Sequence, residues 1–200
     1  MVGDVEETKK LILASSSPRR SEIFSLLRLD YTVVEPSGCQ EMMMEDPFQT
    51  VKANSVLKIR NISSRGIIGK NVLIAGFDTL IFSGKSIIGK PRDTKEARSF
   101  LSSFSGKEHK VISAVSVLDT RSKKMFSNTE VTVVKFRELS HRETEYYLEN
   151  ENVLDKAGAY NIMGLGCALV ESIRGCFYNV AGVPVAALID LLKRFDYKFL

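Results

Sequence analysis

The chain has 200 residues, of which 44% are hydrophobic, and a formal net charge of +4. This composition can supply one ordinary core, and three cysteines without C-x-x-C spacing indicate neither a disulfide framework nor a zinc site. Lysine and arginine are dispersed, so no nucleic-acid polymer is expected as a partner. No segment approaches the roughly 20 apolar residues of a membrane-spanning helix, and the first ten residues carry mixed charges. We therefore expect a cytoplasmic protein without a membrane partner.

The first predicted elements follow an N-terminal extension that we assign to residues 1–10. An apolar run at residues 11–14 predicts a buried strand, which ends at three serines and a proline. A helix is predicted to begin there with Ser17 as its cap, and residues 31–34 predict a second strand. The helix is expected to bury three apolar residues at helical spacing: Ile23, Leu26 and Leu27.

The middle of the chain predicts two further helices and a hairpin. Residues 46–62 have a helix start signal and fair apolar periodicity. Residues 72–75 are a compact apolar run that predicts a strand, and residues 80–88 predict a separate hairpin. Thr94 is expected to cap the third helix, whose apolar residues recur at i, i+3, i+4 and i+7.

The last third of the chain predicts a strand pair and two helices. Residues 111–118 and 131–136 are β-rich and flank a polar turn, so they should pair as antiparallel strands. Ser140 begins a capping box, and Pro184 begins an amphipathic helix. Residues 157–175 predict a loop and a strand. Because strands and helices interleave, the fold class is predicted to be α/β with a mixed sheet.

The sharpest local feature is the SSSPRR turn at residues 15–20. A helix N-terminus offers unpaired N–H groups and a partial positive charge. Two arginines in the first turn oppose that dipole, so Arg19 and Arg20 indicate a bound anion such as a phosphate. The alternative is that both are solvated residues beside an ordinary helix cap.

Several other polar residues are candidates for chemistry, each with an alternative. Asp78 is expected at the end of the strand predicted from residue 72, where it could hold Mg²⁺ or orient a water molecule, or it could cap a turn. Lys90, between a glycine and a proline, could point at a phosphate or lie on a surface turn. Lys58 and Glu41 could be solvated helix and loop residues. His109 is expected to be a structural hydrogen-bonding residue rather than a base.

The order and spacing of these motifs closely resemble the Maf family of nucleoside triphosphate pyrophosphatases. The motifs are SSSPRR at 15–20, Asp-Thr at 78–79, GKP at 89–91, LSSFSG at 101–106 with His109, and DKAGAY at 155–160. The likeness extends from about residue 11 to residue 192. It implies an elongated, two-lobed α/β fold with a central mixed sheet, similar to inosine triphosphate pyrophosphatases and often homodimeric. Residues 11–200 would then form a single domain around a nucleotide cleft.

The resemblance also assigns roles. It implies that Asp78 is catalytic, orienting the attacking water, and that it shares a divalent metal, Mg²⁺ or Mn²⁺, with Glu41. It implies that five residues bind phosphates: Ser15, Arg19, Arg20, Lys58 and Lys90. This chain departs from the family around Lys58, where Ser55 and Ile59 replace expected alanines. One extra residue near Gly38 is also needed to align Glu41.

The implied reaction is hydrolysis of a nucleoside triphosphate to a monophosphate and pyrophosphate. The DKAGAY segment resembles the branch acting on dTTP and UTP, but Met163 replaces a glutamine of that branch. A thioether is only a weak hydrogen-bond acceptor, so base preference is open. Modified purine triphosphates such as 7-methyl-GTP are one alternative. A non-catalytic nucleotide-binding regulator of cell division is another, although Asp78 and Lys90 argue against it.

Overall fold

The computed structural model describes residues 9–66 and 68–198. Its strands are β1 (Lys10–Ala14), β2 (Tyr31–Val33), β3 (Val72–Ser83), β4 (Ser86–Ile88), β5 (Glu108–Asp119), β6 (Met125–Phe136) and β7 (Val170–Arg174). Its α-helices are α1 (Pro18–Leu26), α2 (Pro47–Ser63), α3 (Thr94–Phe104), α4 (His141–Asn150), α5 (Phe177–Val180) and α6 (Val185–Lys193). Most of the expected N-terminal extension lies outside the described residues, and Lys10 already belongs to β1. No described helix is long and apolar enough to cross a membrane.

The strands form one mixed sheet in the order β2-β1-β3-β5-β6-β7, with β4 paired to β3 off this path. Strand β1 pairs in parallel with β2 and β3. The β3, β5, β6 and β7 pairings are antiparallel. The predicted α/β class with a central mixed sheet is confirmed, as is the antiparallel pairing of β5 with β6.

The two faces of β3 pack against different helices. Because side chains alternate along a strand, Leu73, Ala75 and Phe77 join the large core cluster that also contains residues of α1, α3 and α6. Ile74 joins a smaller cluster that is formed with α2. Asp78 has the same parity as Ile74 and therefore points toward α2.

Helix α2 lies unusually close to this face of the sheet. A Cβ atom on Gly76 would collide with the carbonyl oxygen of Ser55 and lie 2.7 Å from Cγ1 of Ile59. Real Cβ atoms do not make such contacts, so the helix can approach β3 only because residue 76 has no side chain. The close approach brings the polar side chains of α2 next to Asp78.

The expectation that Asp78 ends a strand is wrong. Strand β3 continues for 12 residues, and Gly76 and Asp78 pair with Ser116 and Ala114 of β5. The glycine and polar residues predicted a break, but the equally long β5 supplies antiparallel partners along the whole segment. Strand β1, in contrast, stops at Ala14 opposite Gly76, so Asp78 lies just beyond the carboxyl end of its parallel neighbour.

Helix α1 differs from its prediction in two respects. Leu26 is 61% exposed, whereas Phe24 is fully buried and packs its ring against Tyr31 and Phe77. Leu26 lies three positions after Ile23 and Phe24 only one, so spacing favours Leu26, but the contact with the sheet buries Phe24. Ser17 is the N-cap residue, but its side chain makes no capping hydrogen bond, and its backbone N–H donates to the Ser15 hydroxyl at 3.1 Å.

The remaining helices mostly match their predicted positions. Asp93, rather than Thr94, caps α3, with its carboxylate accepting the Glu96 N–H at 2.7 Å. The capping box at Ser140 is confirmed at the start of α4. The four-residue helix α5 was not predicted from the sequence, and two short 3₁₀ turns, Ala157–Ala159 and Leu165–Leu169, lie in the predicted loop before β7.

Candidate active site

A cleft with a cavity volume of about 360 Å³ opens beyond the end of β1. Its walls come from the β1–α1 turn, the segment before α2, one face of α2, the middle of β3, and the loops after β4 and around residue 157. All of the residues assigned a role by the family resemblance line this cavity: Ser15, Arg19, Arg20, Glu41, Lys58, Asp78 and Lys90. The fold therefore brings together residues that lie up to 75 positions apart in the sequence.

The Arg20 guanidinium makes four hydrogen bonds to other residues of the chain. It donates to the Phe77 carbonyl at 3.2 Å, to the Gly182 carbonyl at 3.0 Å and to the Thr79 hydroxyl at 3.4 Å. It also donates to the buried Ser15 hydroxyl at 3.2 Å. Burial lowers the pKa of Arg20 to about 10, which leaves it charged at neutral pH. Arg20 thus connects the β1–α1 turn to β3 and to the loop before α6.

Arg19 has a different environment. Its half-buried side chain makes no hydrogen bond or ion pair with any residue in the described ranges, 9–66 and 68–198. Burial lowers its pKa, and the nearby carboxylate of Asp155 opposes that shift. A charged guanidinium without acceptors at the edge of a cleft is suited to bind an anionic ligand.

Asp78 and Lys58 form the centre of the site. Asp78 is only 7% exposed, and its two carboxylate oxygens accept from different donors of α2. The Lys58 ammonium lies 2.7 Å from Oδ1, and the Asn54 amide nitrogen lies 3.1 Å from Oδ2. Lys58 also donates to the Phe77 carbonyl at 3.1 Å. The carboxylate is therefore held at both oxygens.

Glu41 completes this arrangement from the segment before α2. Its Oε1 lies 2.8 Å from the same Lys58 ammonium, and its side chain is half exposed. Burial acts to raise the pKa of Glu41, but Lys58, together with Lys90 and Arg20, holds the pKa below its ordinary value. The two carboxylates assigned to a metal thus converge on one cation, although they come from distant parts of the sequence.

The donor set fits a magnesium ion that shares its coordination sphere with a substrate. Asp78 and Glu41 lie close enough for one ammonium to contact both, at 2.7 and 2.8 Å. Mg²⁺ takes oxygen ligands and is usually held by one or two carboxylates together with phosphate oxygens and water. The described residues contain no group of three or more His, Cys, Asp or Glu side chains that could hold a metal by themselves.

Lys90 lies opposite this pair on the loop after β4. Its side chain is exposed and makes no hydrogen bond or ion pair within the described parts of the chain. Its charge acts on Glu41, whose pKa it helps to lower. The loop is fixed by a hydrogen bond from the Gly158 N–H to the Gly89 carbonyl at 2.9 Å, which joins the GKP and DKAGAY motifs.

Two residues near the cleft were not identified from the sequence. Asn54 touches Asp78 directly, and the only sequence signal for it is its position four residues before Lys58 on the same helix face. Asp155 lines the cavity beside Arg19. Met163, in contrast, is not among the residues lining the cavity. It is 37% exposed, so the residue that raised the question of base preference contributes no surface to this cleft.

His109 is confirmed as a structural hydrogen-bonding residue. It is 2% exposed, stacks on Phe104 with ring centroids 4.5 Å apart, and pairs its Nε2 with the Tyr160 hydroxyl at 3.0 Å. Tyr160 in turn lines the cavity. Burial lowers the pKa of His109 to about 4, so the ring is neutral at physiological pH and supports the cleft from behind.

Comparisons with known proteins agree with this architecture. The family model described as Maf-like protein matches residues 10–195. The dTTP/UTP pyrophosphatase of Dictyoglomus thermophilum is 38% identical over 194 residues, which cover 96% of this chain and 99% of its own. The proteins of the same name from Thermosipho africanus and Pyrococcus furiosus are 42% and 39% identical, covering 92% of this chain and 92% and 95% of their own lengths.

A solved structure shares the fold at much lower identity. The Staphylococcus aureus Ham1 protein superposes with a TM-score of 0.51 at 12% identity, covering 94% of this chain and 97% of its own. The family model extends over nearly all described residues, from β1 to the turn that follows α6, and includes every residue of the cleft. On this basis the chain belongs to the Maf family.

Proposed function

We propose that this chain hydrolyses dTTP and UTP to the nucleoside monophosphate and pyrophosphate. The observation that carries the proposal is the convergence of Asp78, Glu41 and Lys58 in one cleft. The same cleft holds Arg19 and Lys90, two cations without a hydrogen-bond or ion-pair partner among residues 9–66 and 68–198. A nucleoside triphosphate carries several negative charges and needs such donors along its phosphate chain. The naming of the Maf relatives as dTTP/UTP pyrophosphatases supports the same substrate class.

The residues divide between orienting water and neutralising charge. Asp78, held at both oxygens, orients the water that attacks the α-phosphorus and accepts its proton. Lys58, Arg19 and Lys90 offset the charge on the phosphates and on the departing pyrophosphate. Asp78 and Glu41 would hold Mg²⁺ or Mn²⁺, which would polarise the phosphoryl oxygens and lower the pKa of bound water.

As substrates, dTTP and UTP are better supported than modified purine triphosphates. Hydrolysis of modified purine triphosphates was suggested by Met163, which does not line the cavity. A nucleotide-binding regulator that does not hydrolyse its ligand would not need Asp78 and Glu41 to converge on Lys58. We further propose that residues 11–200 form one domain whose two lobes flank the cleft. Homodimer formation and a cytoplasmic location stay predictions.

A nucleotide panel tests the proposal. The purified chain is incubated with Mg²⁺ and dTTP, UTP, dCTP, GTP or 7-methyl-GTP, and the products are separated by ion-exchange chromatography. We expect monophosphate and pyrophosphate from dTTP and UTP, and a loss of about 10³-fold or more in the Asp78→Asn variant. Circular dichroism and thermal unfolding verify that this variant is folded.

Three results would contradict the proposal. Near-normal turnover by Asp78→Asn would remove the catalytic role of this carboxylate. Binding of nucleotides without any product would favour the regulator. Turnover of 7-methyl-GTP well above that of dTTP and UTP would favour the modified-purine alternative.

A further inference from the structure

One face of α2 and the turn after it carry a row of polar residues that bind the segment of residues 35–44. They are spaced by three or four positions, which places them above one another on the helix surface. The row consists of Thr50, Asn54, Lys58, Asn61 and Arg65. The segment has no strand or helix of its own, so these side chains hold the wall of the cleft that carries Glu41.

Two members of this row, Thr50 and Asn61, bind backbone groups of the segment. Thr50 accepts the Met44 N–H at 3.0 Å, and its one hydroxyl hydrogen can go to the Asp46 carbonyl at 3.0 Å or to the Met44 carbonyl at 3.3 Å. Asn61 accepts the Ser37 N–H at 3.2 Å and donates to the Ser37 carbonyl at 2.9 Å. A side-chain amide that pairs with both backbone groups of one residue mimics a neighbouring strand and fixes that residue firmly.

Asn54 makes the same pair of contacts and one more. Its Oδ1 accepts the Met42 N–H at 2.8 Å, and its Nδ2 donates to the Met42 carbonyl at 3.0 Å. The second hydrogen of Nδ2 reaches Oδ2 of Asp78 at 3.1 Å. Asn54 is 3% exposed, and both amide hydrogens have an acceptor. It thereby links Asp78 to the residue that follows Glu41.

We propose that Asn54 is a positioning residue for the hydrolysis, an inference that rests on the proposed function. It holds the Asp78 carboxylate in one orientation and holds the backbone beside Glu41 at a fixed distance from it. Lys58 shares this task in the absence of nucleotide, but its long, charged side chain is attracted to phosphates. Asn54 is short, neutral and buried, so it keeps Asp78 oriented when Lys58 turns toward the substrate.

Asn61 provides a matched control for this inference. Asn54 and Asn61 lie on the same helix face and bind the same segment through the same pair of backbone contacts. Of these two asparagines, only Asn54 also donates to Asp78. A purely structural role predicts equal effects of replacing either one, whereas a positioning role predicts a loss of kcat that is specific to Asn54.

The test compares Asn54→Leu with Asn61→Leu. For Asn54→Leu we expect kcat for dTTP to fall by about 10- to 100-fold with KM within about threefold of wild type, because misplacing a reacting group affects the chemical step. For Asn61→Leu we expect kcat within about threefold of wild type. Calorimetry with the α,β-imido analogue of dUTP should give similar affinities for wild type and both variants.

A second variant keeps the inference testable if Asn54→Leu does not fold. Asn54→Ala removes the donor to Asp78 without placing a second carboxyl group beside it, so the same fall in kcat is expected. Equal kcat values for the Asn54 and Asn61 variants would overturn this inference but not the proposed function. A loss of analogue affinity by the Asn54 variant as large as its loss of kcat would do the same. A wild-type protein that releases no pyrophosphate would overturn the proposed function and this inference with it.

Discussion

Lys58 joins the buried carboxylate of Asp78 to Glu41, with its ammonium 2.7 Å from the first and 2.8 Å from the second. The family resemblance assigns these two carboxylates to a metal, and here the Lys58 ammonium lies between them. It therefore neutralises the site when no divalent cation is bound. We therefore expect the midpoint of thermal unfolding to depend both on Lys58 and on Mg²⁺.

The Lys58→Met variant should be less stable than wild type without metal and should gain more from Mg²⁺. Removing the cation from a buried pair leaves an uncompensated charge, which costs roughly 2–4 kcal/mol here because Glu41 is half exposed. For a chain of this size that corresponds to a fall of about 5–10 °C in the midpoint of thermal unfolding. The measurement is thermal unfolding in EDTA and in Mg²⁺.

Lys90→Met is the control for this prediction, since Lys90 is exposed and contacts neither carboxylate in the described structure. Its unfolding midpoint should stay close to that of wild type in both buffers. If Mg²⁺ raised the midpoint of the Lys58 variant no more than that of wild type, Asp78 and Glu41 would not be a shared metal site.

The two adjacent arginines should respond differently to replacement. Arg20→Ala removes four hydrogen bonds, among them the one that the carbonyl of the buried Gly182 accepts. We expect a loss of about 2–4 kcal/mol of unfolding free energy together with a loss of turnover. Arg19→Ala should leave stability nearly unchanged and raise KM for dTTP about tenfold or more, because Arg19 has no acceptor in the described structure.

Urea unfolding and steady-state kinetics distinguish the two arginines. The exposed Arg142 on α4 serves as the control, and its alanine variant should match wild type in both measurements. Equal destabilisation by Arg19→Ala and Arg20→Ala would contradict a structural role for Arg20 and a substrate-binding role for Arg19.

The sequence predicts the site better than it predicts the path of the chain through it. The resemblance carried by SSSPRR, Asp-Thr and GKP assigned residues that the fold does bring into one cleft. It could not show that Arg20 would donate to protein acceptors while Arg19 has no acceptor among the described residues. That difference depends on the Gly182 and Phe77 carbonyls, which come from distant segments and have no side-chain signature.

The wrong predictions share a physical cause. Asp78 was expected at a strand end because Gly76 and its polar neighbours weaken a local strand signal, but the pairing with β5 is decided about 35 residues later. Leu26 fits the helical stripe of Ile23 and Phe24 does not, yet packing against Phe77 buries Phe24. Asn54 lacks any local sign of its contact with Met42, since that contact depends on where an irregular segment runs.

Gly76→Ala should disturb both stability and turnover. The added Cβ would meet the Ser55 carbonyl and Cγ1 of Ile59, neither of which can move without shifting α2. Such overpacking usually costs about 1–3 kcal/mol, and backbone contact puts this site at the upper end. A shift of α2 also moves Lys58 and Asn54 away from Asp78, so turnover should fall by at least about tenfold.

Gly69→Ala is the matched substitution, because its nearest neighbouring atom, Cγ2 of Val72, lies 4.0 Å from the added Cβ. Urea unfolding should show little change for this variant. A Gly76→Ala protein as stable and as active as Gly69→Ala would mean that α2 is free to move away from β3.

His109 should make the protein less stable as the pH falls from neutral toward 4. Burial lowers the pKa of this histidine from 6.5 to about 4, and its Nδ1 has no hydrogen-bond partner in the described structure. Between these two values the unfolded chain binds a proton that the folded chain does not, so unfolding free energy decreases with decreasing pH. The full effect is on the order of 3 kcal/mol.

His109→Gln removes the titrating ring while retaining an amide that can pair with the Tyr160 hydroxyl. The variant is expected to be weaker at pH 7, because it loses the stacking on Phe104, but to lose less stability than wild type down to pH 4.5. Urea unfolding at pH 7, 6, 5 and 4.5 gives the two curves. Carboxylates such as Glu143, whose pKa the backbone and side chain of Ser140 lower to about 2, titrate alike in both proteins and cancel in the difference. Parallel curves would mean that His109 accepts a proton as readily in the folded protein as in the unfolded chain, which would contradict its lowered pKa.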